Sequence, residues 1–410
     1  MIDTPGAGTD RPPRPGARRK VRLYVGHKAS IEIDKLVAGG GGMGRFEGLP
    51  VFVPRTAPGD LVRIEVIERW RDYAKARLLE VLRPGPSRRQ PRCAHFEQCG
   101  GCDLQHIEDD AQLRFKAEAV RETLSRIGGV GKIPEIEVVA GDAWGYRQRA
   151  QLQVAPTERG VRVGYFARGT HDLVPIDQCP ILDPELENRI PEINTALENS
   201  TIRRLDIASG DGSSWTTAPV VEGLPHGAVD RRVGDHAYTY DARAFFQGHR
   251  SLVADLVRHT VGEWTGDTVF DLYAGVGLFS IPLAARYRRV VSVENDRIAT
   301  RWARQNRRRS RVDHVEAIDR SVESMIDALP ADLDRVVVDP PRAGLSPKVR
   351  NRFLKAPPRL LTYVSCHAAA LARDIRALSG HYRVGRLVLL DMFPQTGHME
   401  VVAHLRRDGT

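Results

Sequence analysis

One stretch constrains the fold more than any other. The run Val269-Phe270-Asp271-Leu272 breaks at Tyr273-Ala274-Gly275-Val276-Gly277, and apolar residues resume as Leu278-Phe279-Ser280-Ile281. A buried strand that turns through two glycines into a helix opens a βαβ unit. Glycine lets the backbone approach a ligand where a Cβ would clash. Further on, the run Val290–Val293 ends in Glu294. An acid at the tip of a second strand can accept hydrogen bonds from both hydroxyls of a ribose. The third glycine of a dinucleotide fingerprint is missing, so a pyrophosphate is disfavoured. S-adenosylmethionine fits better, with Asp271 where it could meet that cofactor's cationic amine. A tight β–α turn with no ligand is the plainer alternative.

From residue 241 onward strands and helices alternate, the pattern of a doubly wound, Rossmann-like α/β sheet. Strands are predicted at Thr268–Leu272, Val290–Glu294, Arg335–Asp339, Leu361–Ser365 and Val384–Asp391. Ligands of such sheets sit beyond the carboxyl ends of the strands. One strand ends in Asp339-Pro340-Pro341-Arg342-Ala343-Gly344, and the next ends in Ser365-Cys366-His367. A lone cysteine is usually a small buried apolar residue, but this one follows the Asp-Pro-Pro-Arg strand at a reacting edge. Its thiolate would be favoured by a cationic cofactor and by Arg342. Glu400, between a glycine turn and a final apolar strand, is either an edge-strand acid or a general base. Together the two groups suit methylation at carbon 5 of a pyrimidine. A thiolate attacks carbon 6, carbon 5 becomes nucleophilic, and a carboxylate later removes its proton.

The net charge of +9 points to an anionic partner, most often nucleic acid, although an arginine-rich composition alone would give the same value. No apolar run is long enough to span a membrane and no signal peptide is evident, so the expected compartment is the cytoplasm. No protein partner is predicted. Residues 1–20 read as a disordered basic tail. Residues 21–84 carry short alternating strands separated by glycine and proline turns, which predicts an OB-like barrel. Arg69, Trp70, Arg71, Tyr73 and Lys75 interleave charge with aromatics, as a nucleic-acid-binding face would. The competing possibility buries Trp70 in the barrel core. Residues 85–240 form a central α+β domain. Its first helix, 109–127, has Leu113, Ala117, Val120 and Leu124 on one face and could pack on the C-terminal domain; a second helix is expected at 184–199. Residues 241–410 form the cofactor domain.

Five cysteines in a chain of this kind do not suggest a disulfide framework. Cys93, Cys99 and Cys102 cluster, and Cys179 precedes a proline far downstream. Four thiolates fit either a 4Fe–4S cluster or structural zinc, and the Cys-x2-Cys spacing by itself leans to zinc.

Taken together, Phe245-Phe246-Gln247, Asp271–Gly277, Asp339–Gly344, Ser365-Cys366, Leu371–Asp374 and Asp391–Glu400 closely resemble the TRAM-domain RNA 5-methyluridine methyltransferases. That family acts on tRNA or 23S ribosomal RNA, and the resemblance extends over residues 25–405. It implies Cys366 as nucleophile and Glu400 as base. It implies Gln247, Tyr273, Glu294 and Asp339 as cofactor contacts beside Gly275 and Gly277, and residues 21–84 as an RNA-binding TRAM barrel. It further implies a 4Fe–4S cluster on Cys93, Cys99, Cys102 and Cys179, and slightly favours ribosomal RNA. Three positions depart from the family pattern: His367-Ala368 follows the cysteine instead of Asn-Pro, His249 replaces an asparagine, and Leu278 replaces another. A methyltransferase acting on cytosine or an exocyclic amine, and a non-catalytic RNA-binding protein, are the competing functions.

Overall fold

The computed structural model describes residues 23–158 and 160–409; the 1–20 tail lies outside them. Strands β1 (Lys28–Leu36), β2 (Gly42–Phe46), β3 (Leu49–Val53), β4 (Leu61–Arg69) and β5 (Ala74–Arg83) close into a barrel in the order β1-β2-β3-β5-β4. The two-residue period of the strand sends Val62, Ile64 and Val66 inward while their neighbours face solvent.

Helix α1 (Asp109–Arg126) buries Val120 and Leu124 of the expected face, but that face is rotated toward polar residues. Leu113 and Ala117 are half-exposed, whereas Gln112 and Lys116 are buried with Ala119, Val120 and Leu124. The polar pair is satisfied by residues far along the chain, which helical periodicity cannot reveal. Strand β6 (Ile136–Val139) follows, in a stretch where no element was expected.

The middle of the chain builds a second sheet from β7 (Arg149–Thr157), β8 (Gly160–Phe166) and β9 (Leu173–Pro175). Helices α2 (Pro184–Glu187) and α3 (Ile190–Ala196) come next, then β10 (Arg204–Ser209) and β11 (Trp215–Ala218), in the sheet order β11-β10-β7-β8-β9. The single helix expected at 184–199 is two short ones. Each carries a proline in its first turn, where the missing N–H costs nothing; Pro191 inside one continuous helix would break it.

A hairpin of β12 (Val229–Val233) and β13 (His236–Tyr240) leads into α4 (Val253–Val261). The remaining elements are β14 (Gly266–Leu272), α5 (Ser280–Leu283), β15 (Tyr287–Glu294), α6 (Arg297–Arg309), β16 (Val315–Asp319), α7 (Val322–Met325), β17 (Arg335–Val338), α8 (Pro347–Lys355), β18 (Leu360–Ser365), α9 (Ala368–Leu378), β19 (Tyr382–Leu390) and β20 (Glu400–Arg407). The sheet runs β16-β15-β14-β17-β18-β20-β19-β6. Strands β14 to β18 are parallel; β20 is antiparallel to both β18 and β19. Helices cover both faces, so the central strands are apolar throughout: Val336 and Val338 enter one core, Val337 the other. Strand β6 pairs with β19, and α1 packs beside α9. These two elements therefore belong to the C-terminal sheet layer despite their place inside residues 85–240.

Candidate active site

The sheet brings the expected reacting groups to one edge. Leu272, Glu294 and Val338 end their parallel strands there, followed by Asp339, and β18 delivers Cys366. The antiparallel β20 starts at that same edge. Ser365 lies opposite Val401 and Leu390 opposite Glu400, so Glu400 is the neighbour of Cys366 across the ladder.

Electrostatically the edge is crowded. Glu400 is 2% exposed, and its Oε1 has no hydrogen-bond partner among the described residues. Burial, reinforced by Asp339, holds its carboxyl well above the usual range. Burial, with Asp271 and Glu294 adding, pushes Asp339 up to about 7. The Cys366 thiol is half-buried and pushed up to about 11, by burial first and then by Glu400 and Asp339. Arg342 does favour the thiolate, as expected, but burial and the two acids together outweigh it. Arg342 is exposed, and its Nη2 lies 2.8 Å from His398 Nδ1.

The glycine loop is strained and tied to the acid of the second strand. Tyr273 adopts φ 64°, uncommon for a residue with a Cβ, and its hydroxyl donates to Glu323 at 3.3 Å. Gly275 and Gly277 have φ 55° and 88°, and a Cβ added to Gly275 would point into open space. Glu294 accepts N–H bonds from Gly275, Asn295 and Asp296, each at 2.8 Å. Gln247 is buried. Asp271 Oδ1 has no hydrogen-bond partner among the described residues. The residue is wholly buried and accepts from Ser280 Oγ, with burial pushing it up to about 7. That bond holds the start of α5 beneath the loop.

The departures from the family pattern have local explanations. His367 caps α9, its Nδ1 accepting from the Ala370 N–H at 3.2 Å, a role an asparagine also fills. His249 Nδ1 accepts from Ser251 and Leu252 at the entry to α4, its ring stacked on Tyr146 at 4.8 Å. Leu278 is core, and its carbonyl accepts from the Tyr238 hydroxyl at 2.9 Å.

Cys93, Cys99, Cys102 and Cys179 line a single cavity together with Arg147. Burial pushes Cys102 up to about 12 and Cys179 up to about 11, and also raises Cys93 and Cys99. Among the described residues, no three His, Cys, Asp or Glu side chains group as ligands of one metal ion. On the barrel, Trp70 is 40% exposed, stacked on Tyr73 at 4.7 Å with Lys75 Nζ 4.9 Å from its ring. It is a surface platform rather than a core residue.

Three contributors were not assigned from sequence. Lys116 is buried against Asp391 at 2.6 Å. Gln112 sits one helical turn before it; buried polar residues at i and i+4 of α1 were the available signal. Asp374 accepts from Tyr363 Oη, from the Leu345 N–H and from Arg350, and so pins the end of the Asp339–Gly344 loop.

Comparison with known proteins agrees with this geometry. Residues 229–408 match the family model for tRNA (uracil-5-)-methyltransferase, and residues 22–79 match the TRAM domain. The chain is 32% identical to 23S rRNA (uracil(1939)-C(5))-methyltransferase RlmD of Salmonella typhi, over 95% of this chain and 98% of that one. It is 30% identical to an uncharacterized RNA methyltransferase of Protochlamydia amoebophila, over 94% and 99%. Among solved structures, the Pyrococcus abyssi tRNA (uracil-54, C5)-methyltransferase in complex with S-adenosyl-L-homocysteine aligns with a TM-score of 0.72 at 27% identity. That alignment covers 92% of this chain and 100% of that one. Among the described residues, no helix is long and apolar enough to cross a membrane.

Proposed function

The chain belongs to the RNA (uracil-5-)-methyltransferase family, which uses S-adenosylmethionine, and from that premise we propose that it methylates carbon 5 of a uridine in 23S ribosomal RNA through a Cys366–carbon 6 adduct. The observation that carries the reading is the strand register that makes Cys366 and Glu400 neighbours beside Asp339. Ribosomal RNA is preferred because the full-length relatives at 30% identity or above include a 23S enzyme. The Pyrococcus neighbour, at 27%, supports tRNA as the second reading.

Gln247, Tyr273, Gly275, Gly277, Glu294 and Asp339 would hold the cofactor. The buried, unpartnered Asp271 Oδ1 at the end of β14 and the open space above Gly275 suit a ligand there. The bound cofactor supplies an electrophilic methyl group and a positive charge. Where that charge offsets the neighbouring acids, the raised Glu400 carboxyl and Cys366, a neutral thiol at pH 7 in the crowded edge, would release their protons to solvent. The Cys366 sulfur then attacks carbon 6 of a base drawn out of its stack. The carbon 5–carbon 6 electron pair moves onto the ring as an enolate, and carbon 5 would take the methyl group as the sulfur–methyl bond breaks and its electron pair returns to the departing thioether. Glu400 next removes the carbon 5 proton, the ring double bond re-forms, and Sγ departs.

The two residues act at consecutive steps, so their variants should fail differently. Cys366→Ala should give neither product nor adduct. Glu400→Gln should attack, consume one methyl per enzyme and stall as a band of RNA-linked protein on a denaturing gel. Methylation by Cys366→Ala at the wild-type rate would overturn the covalent pathway.

The same reading assigns a 4Fe–4S cluster to Cys93, Cys99, Cys102 and Cys179. Its support is an all-sulfur donor set around one cavity, with the Arg147 cation beside it to offset thiolate charge.

A further inference from the structure

Glu400 is reached through a nine-residue connection, Asp391–Met399, that leaves β19 and enters β20. Its polar contacts lie mostly outside the sheet it belongs to. Lys116 on α1 donates to Asp391 at 2.6 Å and to the Phe393 carbonyl at 3.0 Å. The N–H groups of Asp103 and Leu104, directly after Cys102, both donate to the Gln395 carbonyl at 2.9 Å. Gln112 and Gln395 bond reciprocally: the Gln395 N–H donates to Gln112 Oε1 at 3.0 Å, and Gln112 Nε2 donates to Gln395 Oε1 at 3.0 Å. The Gly397 N–H donates to Asp103 Oδ2 at 3.1 Å, and a Cβ on Gly397 would come within 2.3 Å of the Gly39 backbone of the barrel.

Gln395 itself is wholly buried at φ 66°. A non-glycine residue in that conformation is strained and persists only where its surroundings over-determine it. Here the reciprocal amide pair and the two carbonyl bonds do so, and the strained residue lies five positions before Glu400. The loop leads straight into Glu400, the first residue of β20 and the last pair of its ladder with β19, so a relaxed loop is felt first at Glu400.

We infer that Gln395 and Gln112 are positioning residues for proton abstraction: they fix the loop that aims the Glu400 carboxylate at carbon 5. The inference rests on the covalent pathway above. In the step concerned, the carbon 5–hydrogen bond breaks, the proton passes to a Glu400 oxygen, its electron pair re-forms the ring double bond, and the sulfur–carbon 6 pair returns to Cys366.

The test uses the full chain and a 23S ribosomal RNA transcript that the wild type methylates. Gln112→Met keeps side-chain volume and removes both reciprocal bonds; Gln395→Met keeps volume and removes the one its Oε1 accepts, leaving its backbone N–H bond to Gln112. Each should lower kcat about 10- to 100-fold, the effect of a displacement near 1 Å at a reacting group. RNA KM and calorimetric cofactor affinity should stay as in wild type, and the RNA-linked band of Glu400→Gln should accumulate. In the contact between the two residues the double variant should be no worse than Gln112→Met, because that change alone already removes both bonds of the pair. A lowered melting temperature with wild-type kcat, or a lowered kcat with no band, overturns the inference when Glu400→Gln itself gives the band. If Glu400→Gln turns over like wild type, the covalent pathway falls and takes this inference with it.

Discussion

At the scale of single residues, Asp339, Glu400 and Cys366 share one edge, and each is raised first by burial and then by neighbouring acids. Such groups titrate as a set, and the empty edge tolerates little negative charge. A cationic ligand reverses that preference. At pH 7, therefore, cofactor binding should expel protons, and affinity should rise as pH increases through the value near 7 held by Asp339. The sign follows from linkage: a ligand that prefers the deprotonated edge binds better where protons are scarce. Titration calorimetry in two buffers of different ionisation enthalpy measures the release directly. S-adenosylhomocysteine, which lacks the sulfonium charge, should release fewer protons. Buffer-independent heats for S-adenosylmethionine would show that the edge is already ionised when empty.

Among the elements, the cysteine-bearing connector between β5 and α1 is the odd one. It runs from residue 84 to 108 with no helix or strand of its own, and a stretch that long inside a compact body needs some other tie. The cluster assignment provides one. Protein purified without oxygen should be brown and contain iron and sulfide in near-equal amounts. Cys99→Ser should lose the colour and melt at lower temperature, because a group bound only in the folded state stabilises it. Zinc at one equivalent without iron would replace the cluster by a structural ion. What was legible in the sequence divides along the same line. The central parallel strands could be read because burial on both faces leaves uninterrupted apolar runs ending in Gly, Asp, Cys or Glu. Those ends are also why Cys366, Asp339 and Glu294 stood out. Strand β6 could not be read, since four residues including Glu137 pair only at an edge. Nor could the buried face of α1, where Gln112 and Lys116 answer to residues 391–395 through contacts that no local pattern encodes.

In the whole molecule, the barrel is not a detachable RNA-binding bead. Leu36 and Ala57 of the barrel region share a small core with Leu104, Ile107 and Ala111. Asp60, wholly buried, accepts from the Gly85 N–H at 2.8 Å and from Arg88 at 2.7 Å, bonds that hold its carboxyl below the usual range against the opposing effect of burial. The Gly39–Gly40 turn lies against Gly397 near the base-bearing loop. Deleting residues 1–84 would therefore expose apolar surface and loosen the approach to Glu400, confounding binding with chemistry. Point changes on the exposed platform separate the two. Trp70→Ala removes a stacking surface worth about 1–3 kcal/mol for one base. Lys75→Gln removes a cation whose phosphate contact would contribute about 0.7–0.9 to the slope of log affinity against log salt. Lys75 is also paired with Glu68 at 3.1 Å, but both are exposed, so that pair competes weakly for it. Both variants should bind RNA more weakly and turn over at the wild-type rate once RNA is saturating, and only Lys75→Gln should flatten the salt dependence. Filter binding across a salt series, with single-turnover methylation at saturating RNA, checks each part. A fall in the saturated rate for Trp70→Ala would mean that the platform helps seat the target base rather than only gathering the RNA.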